Sequence, residues 1–211
     1  MWLLTVLALI LIITGLVLVY RRGRNYSWSN VQIAHGAVCI ALSGLLSTVK
    51  LFHLPLGGSV TAASYLPILL FSYVYGTAPG MLLGALFSLF RFVTGSGNAI
   101  AYGILPFLLD YPAGYAMLGV CGLFRHKPGG RTGLLLGIIA ACALKAVMSV
   151  VSGAVFFVDS IPADFASPWV FSLLYNGSYM LPEAAICIAV ALTAGERLLR
   201  RLSTAELNCH C

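Results

Sequence analysis

The sequence predicts an all-α integral membrane protein with about seven transmembrane helices. Of its 211 residues, 60% are hydrophobic and only 9% are charged, and the mean hydropathy is +0.98. A soluble domain carries about 25% charged residues, so this chain has too little polar surface to face water on all sides. Its apolar runs are continuous and close to the roughly 20 residues that cross a bilayer as a helix. Membrane β-strands would instead alternate between apolar and polar residues.

The first apolar run covers residues 2–20 and ends at a basic cluster of Arg21, Arg22 and Arg24. A cleaved signal peptide carries its positive charge before the apolar region and a small-residue cleavage site after it. Here the charge follows the run. We therefore expect residues 1–30 to form an extra N-terminal transmembrane helix, with its N-terminus outside the cell, and a short cytoplasmic linker.

Six further apolar runs follow, and glycines and prolines separate them as turn residues do. They cover residues 31–51, 60–75, 79–95, 103–124, 133–157 and 168–198. We expect residues 31–198 to form a single membrane domain and residues 199–211 to form a cytoplasmic tail.

Basic residues cluster on one side of the predicted membrane. The first linker, the 125–131 loop and the segment after Arg197 all fall on the side that the positive-inside rule assigns to the cytoplasm. The outer loops, expected at about 52–59, 96–102 and 158–167, contain no Lys or Arg. The net charge of +6 therefore reflects membrane topology. It does not indicate nucleic-acid binding, because no basic run is interleaved with aromatic residues.

Four ionisable residues lie at membrane depth: Arg91, Asp110, Lys145 and Glu183. Such groups are costly in a bilayer and are usually functional. Asp110 lies beside Tyr111, and a carboxylate there suits a cationic or hydrogen-bond-donating ligand. The alternative is a structural ion pair with Lys145 or Arg91. Lys145 and Glu183 both fall near mid-membrane, which favours a structural pair between these two residues.

Residues 175–179 are unusually polar for a membrane span. Asn176 offers both a donor and an acceptor, and an unpaired amide in lipid is disfavoured. A ligand or a partner on another helix is implied, and the sequence leaves both open.

Small residues recur at helix-packing spacing in two spans. Ala37 and Ala41 lie four residues apart, and Gly80, Gly84 and Ser88 share one face of a later helix. In lipid, such stripes let helix backbones approach closely. Packing within the bundle is the favoured interpretation, and docking onto another membrane subunit is the alternative.

Catalysis finds little support in the sequence. It has neither a His-Glu-x-x-His zinc motif nor a phosphate-binding Gly-x-x-x-x-Gly-Lys loop. We expect no cofactor and no metal, and an intramembrane enzyme is the less favoured alternative. A purely structural membrane subunit, a third class, would show no pocket between its outer loops. Cys209-His210-Cys211 forms no closed four-ligand metal site, so we expect a plain solvated tail.

Short motifs follow one another along the chain in a characteristic order. They are Leu54-Pro55-Leu56-Gly57-Gly58-Ser59-Val60-Thr61, Leu66-Pro67-Ile68, Tyr75-Gly76, Leu109-Asp110-Tyr111-Pro112, Ser152-Gly153 and Tyr175-Asn176-Gly177-Ser178-Tyr179-Met180. Together they resemble the thiamine-specific S components (ThiT/YuaJ-like) of energy-coupling factor (ECF) transporters. The resemblance covers about residues 31–198 and leaves the first helix as an extra element.

The resemblance implies a six-helix S-component bundle that binds a vitamin near its outer face in a bacterial cell membrane. It also implies docking onto a transmembrane scaffold subunit that works with two ATPase subunits, which supply the energy for uptake. Ala37 and Ala41 become candidates for the surface that faces the scaffold.

The resemblance further implies a set of substrate-binding residues: Asp110, Tyr111, Ser149, Gly153, Phe157, Phe171, Asn176 and Tyr179. Asp110 would accept a hydrogen bond from the amino group of the ligand. Tyr111 and Phe157 would sandwich its rings, and Asn176 and Ser149 would bind its polar edges.

Three positions differ from the family pattern. Ser149 stands where the family usually has His, Phe157 where it has Trp, and Phe171 where it has Tyr. The two phenylalanines can still stack on flat rings, but they lack hydrogen-bonding groups. We therefore expect thiamine as the ligand, with a thiamine precursor or a related heterocycle as the alternative.

Overall fold

The structure, a computed structural model, describes residues 26–95, 103–125, 131–162, 165 and 167–195, and the isolated positions 10, 14, 17 and 21. The first predicted span, residues 2–20, lies outside the described residues except at three of those positions. The predicted tail, residues 199–211, lies entirely outside them.

Six helices and one β-hairpin make up the described part of the chain. In order they are α1 (Asn30–Thr48), β1 (Lys50–His53), β2 (Ser59–Thr61), α2 (Leu66–Tyr75), α3 (Thr77–Gly95), α4 (Ile104–Phe124), α5 (Arg131–Phe156) and α6 (Pro168–Val190). Within these residues, five helices are long and apolar enough to cross a membrane, and α2 is shorter. Each of the six predicted spans from residue 31 onward overlaps one of these helices. The predicted all-α membrane fold is confirmed.

The hairpin lies where the sequence analysis placed an outer loop and the start of a span. β1 and β2 pair antiparallel, with His53 opposite Ser59 and Phe52 opposite Val60. The prediction of one span over 60–75 is wrong at its start, because helix α2 begins only at Leu66. β-branched residues such as Val60 favour strands, and hydropathy alone does not separate a short buried strand from a helix.

Helix α2 is a core helix and does not cross the bilayer on its own. Its 10 residues correspond to about 15 Å of length, half the thickness of the hydrocarbon layer. Nine of the 10 residues are buried, and Ile68, Leu69 and Phe71 are completely enclosed. Gly76 ends the helix with φ +98°, a left-handed conformation that glycine adopts without strain. This turn allows α3 to begin at the next residue.

The two small-residue stripes have different surroundings. A Cβ added to Gly80 would lie 2.2 Å from the side-chain oxygen of Ser72, and one added to Gly84 would lie 2.2 Å from the backbone oxygen of Tyr115. Gly80 and Gly84 of α3 therefore pack inside the bundle, which is the interpretation that the sequence favoured. Ala37 and Ala41 instead lie exposed on the outer face of α1, so the favoured interpretation of internal packing is wrong for this pair.

Helix α4 changes its winding along its length. It is α-helical over Ile104–Leu108, π-helical over Leu109–Ala113, α-helical again over Gly114–Ala116 and 3-10 over Met117–Phe124. Pro112 lies inside the π segment and has no N–H to donate to an α-helical ladder. Single π turns are frequent at functional sites, and this one carries Asp110 and Tyr111.

Candidate ligand-binding site

A cavity of about 480 Å³ lies among the hairpin loop and helices α4, α5 and α6. All eight predicted substrate-binding residues line it: Asp110, Tyr111, Ser149, Gly153, Phe157, Phe171, Asn176 and Tyr179. Its lining also includes residues that the sequence analysis did not assign to a site, among them Tyr65, Phe107, Tyr115, Ser152, Ser172 and Tyr175. The residues of the predicted set are thus neighbours in space.

Asp110 has a polar partner on the next helix. The Ser149 hydroxyl donates to Oδ1 of Asp110 at 2.6 Å. Arg91, one of the two cations considered as an ion-pair partner, donates to the backbone oxygen of Ser47 at 3.4 Å. Within the described part of the chain, Oδ2 of Asp110 accepts no hydrogen bond. The carboxylate therefore keeps an acceptor for a ligand.

The predicted ion pair between Lys145 and Glu183 is wrong. Oε2 of Glu183 accepts from the Thr61 amide at 2.6 Å, and Oε1 accepts from the Thr61 hydroxyl at 2.7 Å. Oε1 also accepts from the Ser64 amide at 3.0 Å and the Ser64 hydroxyl at 3.2 Å. A carboxylate with this many donors is well stabilised without a cation. It fixes the end of β2 against α6.

Lys145 is buried among aromatic rings instead. Its Nζ lies 4.5 Å from the centroid of the Tyr115 ring and 5.5 Å from that of Tyr65. The negative faces of these rings attract the ammonium group. The side chain also lines the cavity, so it is available to a ligand as well.

Asn176 has hydrogen-bond partners within the protein, mostly on its own helix α6 and one on helix α5. Its Nδ2 donates to the backbone oxygen of Ser172 at 2.9 Å, to the Ser172 hydroxyl at 3.2 Å and to the backbone oxygen of Ser149 at 3.4 Å. Its Oδ1 accepts from the Tyr179 hydroxyl at 2.6 Å. Gly153 makes room for this cluster, because a Cβ at that position would lie 2.3 Å from the Ser172 oxygen.

Aromatic rings supply much of the remaining wall. Phe171 stacks on Tyr175 with ring centroids 5.9 Å apart, and Tyr111 stacks on Phe107 at 5.4 Å. Phe157 follows directly on α5 and is half-buried at the cavity. The wall can therefore hold a flat, cationic or aromatic molecule.

The hairpin loop closes the cavity beside α6, and Tyr175 fixes it there. The Gly58 amide donates to the Tyr175 hydroxyl at 2.9 Å, and that hydroxyl donates to the backbone oxygen of Pro55. A Cβ on Gly58 would lie 2.8 Å from the Tyr179 ring, so only glycine fits this approach. The role of Tyr175 was missed, although it belongs to the polar 175–179 segment that drew attention to Asn176.

Over the residues that the structure describes, no group of three or more His, Cys, Asp or Glu side chains could hold a metal ion. Cys209-His210-Cys211 lies outside them.

Comparison with known proteins gives four findings. The family model described as thiamine transporter protein (Thia_YuaJ) matches residues 33–201. The thiamine transporter ThiT of Bacillus subtilis (strain 168) is 31% identical over an alignment of 180 residues, and the match covers 79% of this chain and 91% of the relative. A solved structure of ThiT from Listeria monocytogenes superposes with a TM-score of 0.69 at 16% identity, over 80% of this chain and 97% of that one.

A solved S component of a bacterial ECF transporter superposes with a TM-score of 0.50 at 20% identity, over 83% of this chain and 96% of that one. These two structures support the fold. The family match covers most of the chain, and the relative that is 31% identical is also named as a thiamine transporter. The chain therefore belongs to the thiamine transporter protein family, so it is a transport protein and not an enzyme.

Proposed function

We propose that this chain is the S component of an ECF transporter and that it binds thiamine in the cavity among α4, α5 and α6. The observation that carries the proposal is the meeting of all eight predicted site residues around one cavity of about 480 Å³. Small-molecule sites have volumes of about 300–1,000 Å³ and combine apolar walls with a few placed polar groups. The name of the Bacillus subtilis relative supports thiamine as the ligand.

The cavity offers partners for the amino group and for the two rings of thiamine. The free Oδ2 of Asp110 can accept a hydrogen bond from the amino group of the pyrimidine, worth about 1.5–3 kcal/mol for a charged acceptor. Tyr111, Phe157 and Phe171 can stack on the two rings. Their faces can also attract the positive charge of the thiazolium, worth about 0.5–2 kcal/mol for each ring.

Transport requires partners in this proposal. Ala37 and Ala41 lie exposed on α1, where their small side chains would let a scaffold subunit approach closely. The scaffold would couple the chain to two ATPase subunits, because the sequence has no phosphate-binding loop of its own. Residues 31–198 would carry ligand binding, and residues 1–30 would add a helix with no assigned role in binding.

The proposed orientation in the cell membrane has the N-terminus outside and the C-terminus in the cytoplasm. The one-sided basic clusters support it, and it exposes the hairpin loop over the cavity to the outside. Single cysteines at positions 164 and 127 of a cysteine-free chain test the orientation in intact cells. We expect labelling at 164 by an impermeant reagent and none at 127, and the reverse pattern would contradict the proposal.

Titration of the purified full-length chain with thiamine tests the proposed ligand. We expect the heat of binding to saturate at one thiamine per chain. Native mass spectrometry of the same preparation identifies any small molecule that co-purifies. A thiamine precursor that binds more tightly than thiamine would replace the ligand but keep the transport role, whereas failure of both compounds to bind would contradict the proposed site.

A further inference from the structure

All four side chains of strand β1 are exposed. Leu51 is 58% exposed and Phe52 is 64% exposed, and Val49, just before the strand, is 49% exposed. Large apolar side chains that are exposed next to one another mark a contact surface more often than single exposed ones do. The described part of the chain therefore leaves an apolar strand without a cover.

The partner strand β2 is fixed to the bundle. Val60 is 6% exposed and Thr61 is 3% exposed. The amide and the hydroxyl of Thr61 both donate to the carboxylate of Glu183 on α6. Because β1 pairs only with β2 in this two-stranded sheet, β1 is an edge strand. The sheet thus presents β1 to the surroundings of the described chain.

The length of α1 places β1 close to a membrane boundary. An edge-to-face pair of Tyr26 and Trp28 precedes α1, and such rings are enriched at the level of the lipid headgroups. The 19 residues of α1 then rise about 28 Å, close to the roughly 30 Å of the hydrocarbon layer. β1 begins two residues after α1 ends, near the boundary opposite the basic linker. In the proposed orientation this is the outer boundary.

Lys50 brings a positive charge to the same strand. It lies between the apolar residues Val49 and Leu51, and among the described residues it has no ion pair with a carboxylate. The first acidic residue of the sequence is Asp110, so no neighbour in the chain neutralises this lysine. A lysine near a membrane boundary extends its amine toward the headgroups while its carbon chain stays in the apolar layer. Lipid phosphates offer the negative charge that the described protein does not.

We propose that β1 is a lipid contact, in which Leu51 and Phe52 insert among the acyl chains at the edge of the outer leaflet and Lys50 binds the phosphate of a lipid headgroup. In the free subunit, the exposed apolar side of α1 continues directly into this strand. Val38 is 64% exposed and Leu45 is 65% exposed on that side. The surface offered to lipid therefore runs from the middle of the bilayer to the hairpin.

The open edge of β1 favours this boundary over water and over the middle of the bilayer. In water, Leu51 and Phe52 would stay hydrated, which is unfavourable. In the hydrocarbon interior, the unpaired N–H and C=O groups of the edge would have no hydrogen-bond partner. Headgroups and their water can bind these groups while acyl chains surround the apolar side chains. A lysine on an edge strand also discourages pairing with a second copy of the chain.

The loop between the two strands joins this contact to the cavity. His53 and Ser59 are paired where the loop begins and ends. Gly57 and Gly58 line the cavity, and the Gly58 amide donates to Tyr175 on α6. The loop is thus held by α6 on one side and, in this inference, by lipid through β1 on the other.

Spin labels on the full-length chain in phosphatidylglycerol nanodiscs test the contact. Phe52→Cys, Val38→Cys and Asp159→Cys in a cysteine-free chain compare β1 with the apolar side of α1 and with an exposed outer turn. We expect the label at position 52, like that at 38, to collide more with dissolved oxygen than with a water-soluble nickel complex. The label at 159 should show the reverse. A label at 52 that behaves like the one at 159, or that neither reagent reaches, would overturn the inference.

Photochemical capture of lipid tests the same contact without removing the natural cysteines. A benzophenone amino acid in place of Phe52 reacts on irradiation with C–H bonds within its reach. We expect a phosphatidylglycerol adduct, detected by mass spectrometry on the peptide that contains position 52. The same group in place of Val38 should also capture lipid, and in place of Asp159 it should not. Lipid adducts at 38 without any at 52 would show that β1 does not contact lipid.

Charge reversal at Lys50 tests the phosphate contact. In the spin-labelled Phe52→Cys chain, Lys50→Glu would set a carboxylate against the lipid phosphates, and we expect collisions of the label with the nickel complex to rise several-fold. Lys50→Arg is the matched control, because a guanidinium also binds phosphate and should leave the depth of the label unchanged. An unchanged depth in Lys50→Glu, or an equal shift in both variants, would overturn the contact between Lys50 and phosphate. These measurements use no thiamine, so their outcome is independent of the proposed function.

Discussion

At the scale of single residues, the buried charges of this chain are stabilised by neutral groups. Glu183 is 1% exposed and is surrounded by the amides and hydroxyls of Thr61 and Ser64. Lys145 is 3% exposed and rests on two tyrosine rings. Their charges and depths were readable from the sequence, but their partners were not. The donors to Glu183 lie about 120 residues earlier in the chain, on a hairpin that the hydrophobic pattern does not reveal.

Replacement of Glu183 tests this arrangement. Glu183→Gln would set an amide nitrogen against donors from Thr61 or Ser64, and we expect it to lower stability by about 1–3 kcal/mol. The measurement is thermal unfolding of the ligand-free protein in detergent. Lys145→Met, alone and combined with Glu183→Gln, supplies the control. Additive losses in Tm agree with separate partners, whereas a double variant that recovers stability would indicate the ion pair after all.

At the scale of the helices, two stripes of small residues have different roles. On α3, Gly80 lies against the side chain of Ser72 and Gly84 lies against the backbone carbonyl of Tyr115. Ala37 and Ala41 point away from the bundle. The sequence showed both stripes but not their directions, because spacing alone places residues on a face without saying what that face meets. The hydrophobic pattern likewise did not predict the position of the hairpin or the winding of α4. It did predict the six helices from residue 31 onward.

A pair of substitutions separates the two stripes. Gly84→Ala forces α3 away from α4 and should cost about 1–3 kcal/mol of stability, seen as a lower Tm without ligand. Ala37→Leu should leave Tm and ligand binding unchanged but abolish uptake in cells that hold the scaffold and ATPase subunits. Loss of folding in Ala37→Leu would contradict an outward-facing stripe, and full uptake would contradict docking at this surface.

At the scale of the whole molecule, the bundle places a polar cluster beneath a hairpin loop that Tyr175 holds in place. The motif order predicted which residues would meet, and the structure brings all eight around one cavity. The motif order did not predict the hydrogen bonds among these residues. Ser149, which we expected to bind the ligand, donates its hydroxyl hydrogen bond to Asp110. Ser172 was not singled out, although it lies one turn before Asn176 and accepts from its amide.

A crystal structure of the full-length chain grown with thiamine is the most direct test of the central claim, that this cavity is the vitamin site. We predict one thiamine among α4, α5 and α6, with its amino group within hydrogen-bond distance of Oδ2 of Asp110. Its rings should lie beside Tyr111 and Phe157. Thiamine bound at another place, or bound here with its amino group turned toward Lys145, would contradict the account.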